Sequence, residues 1–441
     1  MMETKRNEPY PGTASRRHFL KTSAGWSAAA AASPEIGRSA WAAGSDTLKI
    51  GLIGCGHRGT GAAIDALDAD PGLKLVAMAD VFADKIENSL AKIAEKHPDR
   101  ARVDKNHRFS GFEGYRQVIE ASDVVLMACA SKFHPAYLRA AVDAGRHVFV
   151  EKPHGIDPVG VRATQEACEI AKAKGLSVLS GLHNRYDVAV RETMRRIHDG
   201  AIGNIVSMEV NFLRAPYVVV ERQPGWSELD YQFRNWYHFS WLSGDDVIQS
   251  LVHSVDKACW AMKEEPPLKA HGLAGRSASF GPMYGDMFDH HSVVYEYASG
   301  VRLYAFCRTQ KGCHEGVSDY IFGTRGRASL LESKIEGENP WSYSGPPPSP
   351  YKEEHRAFFA AIRSGKPVNS GYHMANSTMV AVLGQIACYT GRQFSWKKAA
   401  NSDFAFEPRT CTADTDPPVK PGADGLYPVA VPGVTRLLPG T

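Results

Sequence analysis

The chain holds 441 residues, with 51 Lys and Arg against 48 Asp and Glu, a net charge of +3. Apolar residues make up 43% and charged residues 22%, an ordinary globular balance that argues against disorder and fibrous repeats. So small a charge excess does not suit an electrostatic nucleic-acid binder. No run of about 18 apolar residues offers a membrane span. At roughly 150 residues per domain, a soluble chain of two or three domains is expected.

Ser15-Arg16-Arg17-His18-Phe19-Leu20-Lys21 sets paired arginines before an Ala-rich run at 22–32, and Ala40-Trp41-Ala42 offers an A-x-A cleavage site. This segment resembles a twin-arginine (Tat) export signal, which implies a periplasmic or otherwise exported protein that folds before transport. Lys5, Arg6, Arg16, Arg17, Lys21 and Arg38 against Glu3, Glu8 and Glu35 account for the whole charge excess, so the remainder is formally neutral. No cysteine near Ala42 suggests a lipid anchor. The eight cysteines have no C-x-x-C spacing. Cys129, Cys168, Cys259 and Cys388 sit in apolar or helix-like segments and read as buried free thiols, while a Cys307–Cys313 bridge after export stays open.

Residues 48–53 form a short apolar run, expected to be a buried strand. It feeds into Gly54-Cys55-Gly56-His57-Arg58-Gly59 and a helix-like stretch at 62–67. Glycines in a G-x-G-x-x-G loop allow a tight turn, close approach to a pyrophosphate and close helix–strand packing, and the helix N-terminus offers free N–H groups to the phosphates. A second strand at 73–80 ends in Asp80, spaced from the loop as a carboxylate accepting both ribose hydroxyls should be. Asp80 favours NAD; NADP stays open because Arg58 can offset the acid. Further strands are expected at 123–128, 147–150 and 176–179, and helices at 137–144 and 159–174. This alternation predicts a doubly wound parallel sheet.

At Glu151-Lys152-Pro153 a family resemblance emerges. Together with the Gly54 loop, Ala130-Ser131-Lys132-Phe133-His134-Pro135 and His253-Ser254-Val255-Asp256, it is similar to the glucose–fructose oxidoreductase / inositol dehydrogenase (Gfo/Idh/MocA) family, over about residues 48–395. The resemblance implies a Rossmann domain followed by an α/β domain with an open mixed sheet. One face of that sheet lines the active site, and the other commonly joins a neighbouring subunit in a homodimer or homotetramer. It implies Lys152 beside the nicotinamide and the reacting carbon, a cis or strained Lys152–Pro153 peptide, and cofactor contacts at Gly54, Gly56, His57, Arg58, Gly59, Asp80, Ala130, His134, Glu151 and Lys152. Independently, a lysine after a buried strand at the carboxyl edge of such a sheet stands where ligands bind, able to hold a substrate hydroxyl.

From about residue 204 the pattern shifts to partly alternating strands at 205–212, 291–297, 301–308 and 318–323. Arg185 and Tyr186, at the entry to this region, are candidate substrate contacts. So are Arg234, Trp236 and Tyr237 in Arg234-Asn235-Trp236-Tyr237-His238-Phe239-Ser240-Trp241, a row suited either to sugar stacking or to a buried aromatic cluster. Residues 247–260 read as a helix with Gln249 and His253 on one face and Asp256 beyond. The resemblance implies a catalytic or orienting role for His253 and an acid where this chain has Gln249. That departure leaves Lys152 and His253 to share proton handling, or hands it to Asp245, Asp246 or Asp289. Gln249 and Asp256 count as substrate contacts. No ligand spacing supports a metal site. Residues 338–350 read as a loop, 352–363 and 376–389 as amphipathic helices, and the Pro-rich segment from 401 as a surface tail or partner-binding extension.

These readings divide the chain into a signal (1–42), an NAD(P)-binding Rossmann domain (43–175), a substrate and oligomerisation domain (176–400) and a tail (401–441). The expected activity is hydride transfer between a sugar, polyol or related hydroxyl compound and a nicotinamide cofactor, NAD or NADP, held tightly because an exported enzyme has no dependable nucleotide pool. The alternatives are a glycosidase using transient C3 oxidation and elimination, or a non-catalytic sugar-binding relative. Neither a nucleic acid nor a membrane anchor is expected.

Overall fold

In the computed structural model, which describes residues 47–438, β4 (Val124–Met127) is apolar along its whole length and β1 (Leu48–Ile53) at every position but Lys49. Both faces of the sheet they share are covered by helices, which is what continuous apolar strands require. The sheet is completed by β2 (Leu73–Asp80), β3 (Arg108–Ser110), β5 (His147–Val150) and β6 (Val178–Ser180), all parallel, in the order β3-β2-β1-β4-β5-β6. Helices His57–Ala69, Ala83–Lys96, Gly114–Ala121, His134–Asp143 and Pro158–Ala173 make the crossovers. This is the doubly wound fold, with the carboxyl ends of β1, β2, β4 and β5 opening on one edge, where such sheets bind ligands.

The second sheet is mixed. It contains β7 (Ile205–Arg214), β8 (Lys269–Gly275), β9 (His290–Glu296), β10 (Arg302–Thr309), β11 (Gly316–Gly323), β12 (Gly326–Ser329), β13 (Lys334–Gly337), β14 (Trp341–Ser342) and β15 (Phe394–Ser395). They run in the order β14-β13-β12-β11-β7-β10-β9-β8-β15, with β7 and β10 parallel. Met208, Val210, Val293, Tyr295, Leu303 and Ala305 bury its inner face. The alternate residues, Tyr304, Phe306, Tyr320 and Phe322 among them, are only half-buried on the other face. The chain is thus α/β, a parallel sheet plus an open mixed one.

Several elements differ from the sequence expectation. The helix expected at 376–389 is Gly371–Thr390 and is buried on nearly every side, not amphipathic. It is wedged between helices Pro158–Ala173 and Val252–Ala261 and strands β8 and β9, so all its faces need apolar or small residues. The helix expected at 247–260 opens with a π turn, Val247–Leu251, before the regular Val252–Ala261 helix. β14 lies inside the expected loop at 338–350. Residues 401–438 lack regular structure yet are anchored: Arg162 donates to the carbonyl oxygens of Ala400 and Ser402 at 2.6 and 2.8 Å. Cys411 and Tyr427 are buried against Phe133, Phe233 and Trp241. Cys307 and Cys313 are both free, Cys307 facing Asp246 at 3.2 Å and Cys313 exposed. The expected export signal and its cleavage site lie outside the described residues. Among the described residues no helix is long and apolar enough to cross a membrane, and no group of three or more His, Cys, Asp or Glu side chains is placed to hold a metal.

Candidate active site

The turn after β1 depends on its glycines. Gly54 adopts φ +92°, and a Cβ there would come within 2.4 Å of the Cys129 amide nitrogen. A Cβ on Gly59 would sit 1.9 Å from the Gly54 carbonyl oxygen, so the helix His57–Ala69 packs too close for a side chain. Gly56, its N-cap, has nothing within 4 Å. Two glycines therefore build the turn and the third leaves open space in front of a helix N-terminus, where free N–H groups favour an anion. At the end of β2 the Asp80 carboxylate accepts from the Cys55 and Phe82 amides at 2.8 and 3.1 Å. Burial raises its pKa above the usual carboxylate range. This cradle fits a dinucleotide, with pyrophosphate before Gly56 and ribose hydroxyls against Asp80.

One cavity of about 810 Å³ joins that cradle to the other sequence candidates. Gly54, Gly56, His57, Arg58, Asp80, Ala130, Glu151, Lys152, Arg234, Trp236, Tyr237 and His253 all line it. Arg58 is tied to Glu151 at 2.7 Å and to Asp65 at 3.3 Å. Lys152 follows β5, joined to Pro153 by a cis peptide, and its Nζ donates to the Gln249 carbonyl oxygen at 2.6 Å. Tyr237 stacks between Trp236 and Tyr217, with ring centroids 4.0 and 4.3 Å away. The aromatic row therefore splits, Trp236 and Tyr237 facing the cavity while Phe239 and Trp241 belong to the core.

Other candidates are turned away from the cavity. Gly59 and His134 support its wall from behind, the His134 ring nitrogens lying 2.7 and 3.1 Å from the Pro153 and Cys129 carbonyl oxygens. Arg185 and Asp256, expected to touch substrate, are spent on each other at 2.7–3.0 Å, and Arg185 also reaches Glu264 at 2.7 Å. Tyr186 packs on the apolar core beside β1. The Gln249 amide donates to Ser131 Oγ and to the Ser243 carbonyl oxygen, each at 2.7 Å. The acids named as substitutes are equally engaged: Asp245 accepts from the Tyr389 hydroxyl and the Phe288 amide, Asp246 pairs with Arg214, and Asp289 accepts from three successive backbone amides.

The structure adds residues that the sequence reading missed. His183, in the short helix after β6, lines the cavity with Lys257 and Tyr351. Its ring meets His253 edge-on at 5.0 Å and stacks on Tyr351 at 4.2 Å. Nδ1 of both imidazoles is buried without a partner. Lys257 pairs with Asp319 at 3.0 Å, both fully buried, and donates to the His253 carbonyl oxygen at 3.0 Å. Burial and the nearby lysines hold the His253 ring well below the imidazole range and bring His183 down to about 3. Two local signals were available: Lys257 lies one turn beyond His253, and His183 comes four residues after the end of the strand expected at 176–179. Chemically, the site offers an ammonium donor beside two neutral rings with free acceptor or donor nitrogens, a set able to grip an alcohol oxygen and its proton.

Residues 48–182 match the GFO_IDH_MocA model, described as an oxidoreductase family with an NAD-binding Rossmann fold. Inositol 2-dehydrogenase of Rhizobium meliloti strain 1021 is 24% identical over 338 residues, 73% of this chain and 91% of that protein. Inositol 2-dehydrogenase 4 of Saccharopolyspora erythraea is 28% identical over 258 residues, 58% of this chain and 64% of that one. The solved aldose-aldose oxidoreductase of Caulobacter crescentus, complexed with glycerol, superposes with a TM-score of 0.61 at 17% identity, covering 79% of this chain and 99% of that chain, a likeness of fold.

Proposed function

We propose, from the match of residues 48–182 to the Gfo/Idh/MocA oxidoreductase model, that the chain transfers hydride between a CH–OH group of a sugar or polyol and a nicotinamide dinucleotide. On this reading residues 43–175 hold the nucleotide and 176–400 the substrate. The observation that carries it is the single cavity uniting the Gly56–Asp80 cradle with Lys152 and His253. A bound NAD supplies the hydride acceptor. Lys152 Nζ hydrogen-bonds the reacting oxygen and stabilises the negative charge left on it when the hydroxyl proton departs, charge that is drawn into the new C=O bond as hydride leaves the carbon. The neutral His253 ring orients the hydroxyl and takes its proton. Trp236 and Tyr237 provide a platform for the apolar face of a sugar ring.

NAD is preferred over NADP because Asp80 would repel a 2′-phosphate while Arg58 is held by Glu151 and Asp65. The twin-arginine segment supports export, and with it a cofactor that stays on the protein. The half-buried aromatic face of the second sheet supports a homodimer or homotetramer, to be read by light scattering. Nucleotide extracted from the purified protein, followed by a panel of polyols and sugars with NADH formation recorded, tests the main reading. Release of an aglycone from a chromogenic glycoside with no net NADH would replace it with the redox-neutral glycosidase.

A further inference from the structure

Arg234 reaches across the cavity from the second half of the chain to the end of β2. Its guanidinium forks onto the Asp84 carboxylate at 2.9 and 3.1 Å. It also lies 3.9 Å from the Phe82 ring centre and 4.8 Å from that of Trp226. Phe82 and Asp84 follow directly on Asp80, the acid set against the ribose, and Phe82 and Arg234 both line the cavity. Arg234 therefore stands at the ribose end, not among the groups around Lys152.

The helix that carries it, Glu228–Arg234, is fixed on both sides. Ser227 and Asp230 form a capping box at its start. The C-terminal tail holds its outer face, the Gln232 amide donating to the Val419 carbonyl oxygen at 2.6 Å and the Tyr427 hydroxyl to Glu228 at 2.5 Å. The same tail is bonded to the nucleotide-binding half, where the Phe406 amide donates to Asp157 at 3.0 Å and Lys132 Nζ to the Phe406 carbonyl oxygen at 2.5 Å. Arg234 and the tail behind its helix thus each join the two halves of the chain.

We propose that Arg234 is a positioning residue for the cofactor, forming with Asp84 a latch over the ribose end that keeps the dinucleotide on the protein between turnovers. This rests on the nucleotide-binding part of the proposed function and is independent of the substrate. Release through this side requires the fork to open and the guanidinium to leave two aromatic rings. Asp84 is half exposed, so the ion pair itself is screened and the stacking contributes more.

The full-length protein, loaded with NADH and chased with excess NAD, reports the exchange rate through the loss of bound-NADH fluorescence. Arg234→Ala should speed exchange about tenfold or more, and Asp84→Asn only a few-fold, both with the melting temperature of the nucleotide-free protein little changed. The exchanged pair Asp84→Arg with Arg234→Asp should recover part of the slow exchange that either single reversal loses. Exchange in Arg234→Ala as slow as in the parent would overturn the latch and leave the oxidoreductase reading standing. A parent protein that binds no NADH at all would overturn both.

Discussion

Lys152 Nζ donates a 2.6 Å hydrogen bond to the backbone carbonyl oxygen of Gln249, so the residue standing where the family resemblance implies an acid holds the lysine through its main chain. The ammonium is placed without help from the side chain at 249. That side chain has its own task, tying Ser131 to the Ser243 carbonyl. Gln249→Glu should therefore gain no activity: a glutamate cannot donate to the Ser243 oxygen, and two acceptors would face each other. The expected result is a loss of about 1–3 kcal/mol in stability, read by denaturant titration, with kcat no higher than in the parent.

The three glycines of the first turn separate folding from binding. Gly59→Ala forces a Cβ to 1.9 Å from a backbone oxygen and should depress folding outright. Gly56→Ala meets no protein atom within 4 Å, so its melting temperature should match the parent. The methyl group would instead occupy the space before the helix N-terminus, and NADH affinity, measured by fluorescence titration, should fall at least about tenfold.

His183 was absent from the sequence reading, yet its ring and that of His253 both carry an unpartnered Nδ1 beside the cavity. Buried polar atoms without partners are costly unless a ligand satisfies them. His253→Ala should lower kcat/KM by about 10²–10⁴-fold, as loss of a proton-handling group does. His183→Asn, which keeps a donor and an acceptor, should retain more activity than His183→Phe. Equal losses in the two His183 variants would show that the ring only packs.

Buried imidazoles also set the acid limit of the fold. Desolvation is the largest cause in each case, holding His134 at about 4 and His183 and His355 at about 3. In the unfolded chain each ring titrates near about 6.5. Between these values the unfolded state binds more protons than the folded one. Their contribution is therefore fully present above about 6.5 and is lost as pH falls, by up to about 1.4 kcal/mol per pH unit for each ring. The His355 ring lies 4.3 Å from that of Phe149, tilted against it, with both nitrogens unpartnered. His355→Phe should flatten the acid limb by one ring's share, seen in melting curves between about pH 7.5 and pH 5.

What was legible in the sequence was local. β1 and β4 announce themselves as apolar runs because helices cover both faces of the parallel sheet, and the glycine turn has a spacing set by backbone sterics alone. Lys152 could be placed because it immediately follows β5. The pairs Arg185–Asp256, Arg234–Asp84 and Lys257–Asp319 join residues far apart in the chain. No periodicity encodes such pairing, so Arg185 and Asp256 read as substrate contacts when each neutralises the other. The helix Gly371–Thr390 looked amphipathic for a related reason: its small and polar residues, Ser377, Thr378 and Gln385 among them, are buried by neighbours on every side that only the tertiary fold supplies.

The central claim is that Lys152, set in one cavity with the dinucleotide cradle, drives hydride transfer from an alcohol. The most direct measurement mixes the nucleotide-loaded protein with a panel of polyols and sugars that includes myo-inositol, and follows reduction of the bound nucleotide in a single turnover by its near-ultraviolet absorbance. The account predicts reduction by at least one member, lost in a Lys152→Ala protein that still holds its nucleotide. A loaded protein that no member reduces, or a Lys152→Ala protein that is reduced at the parent rate, would contradict it.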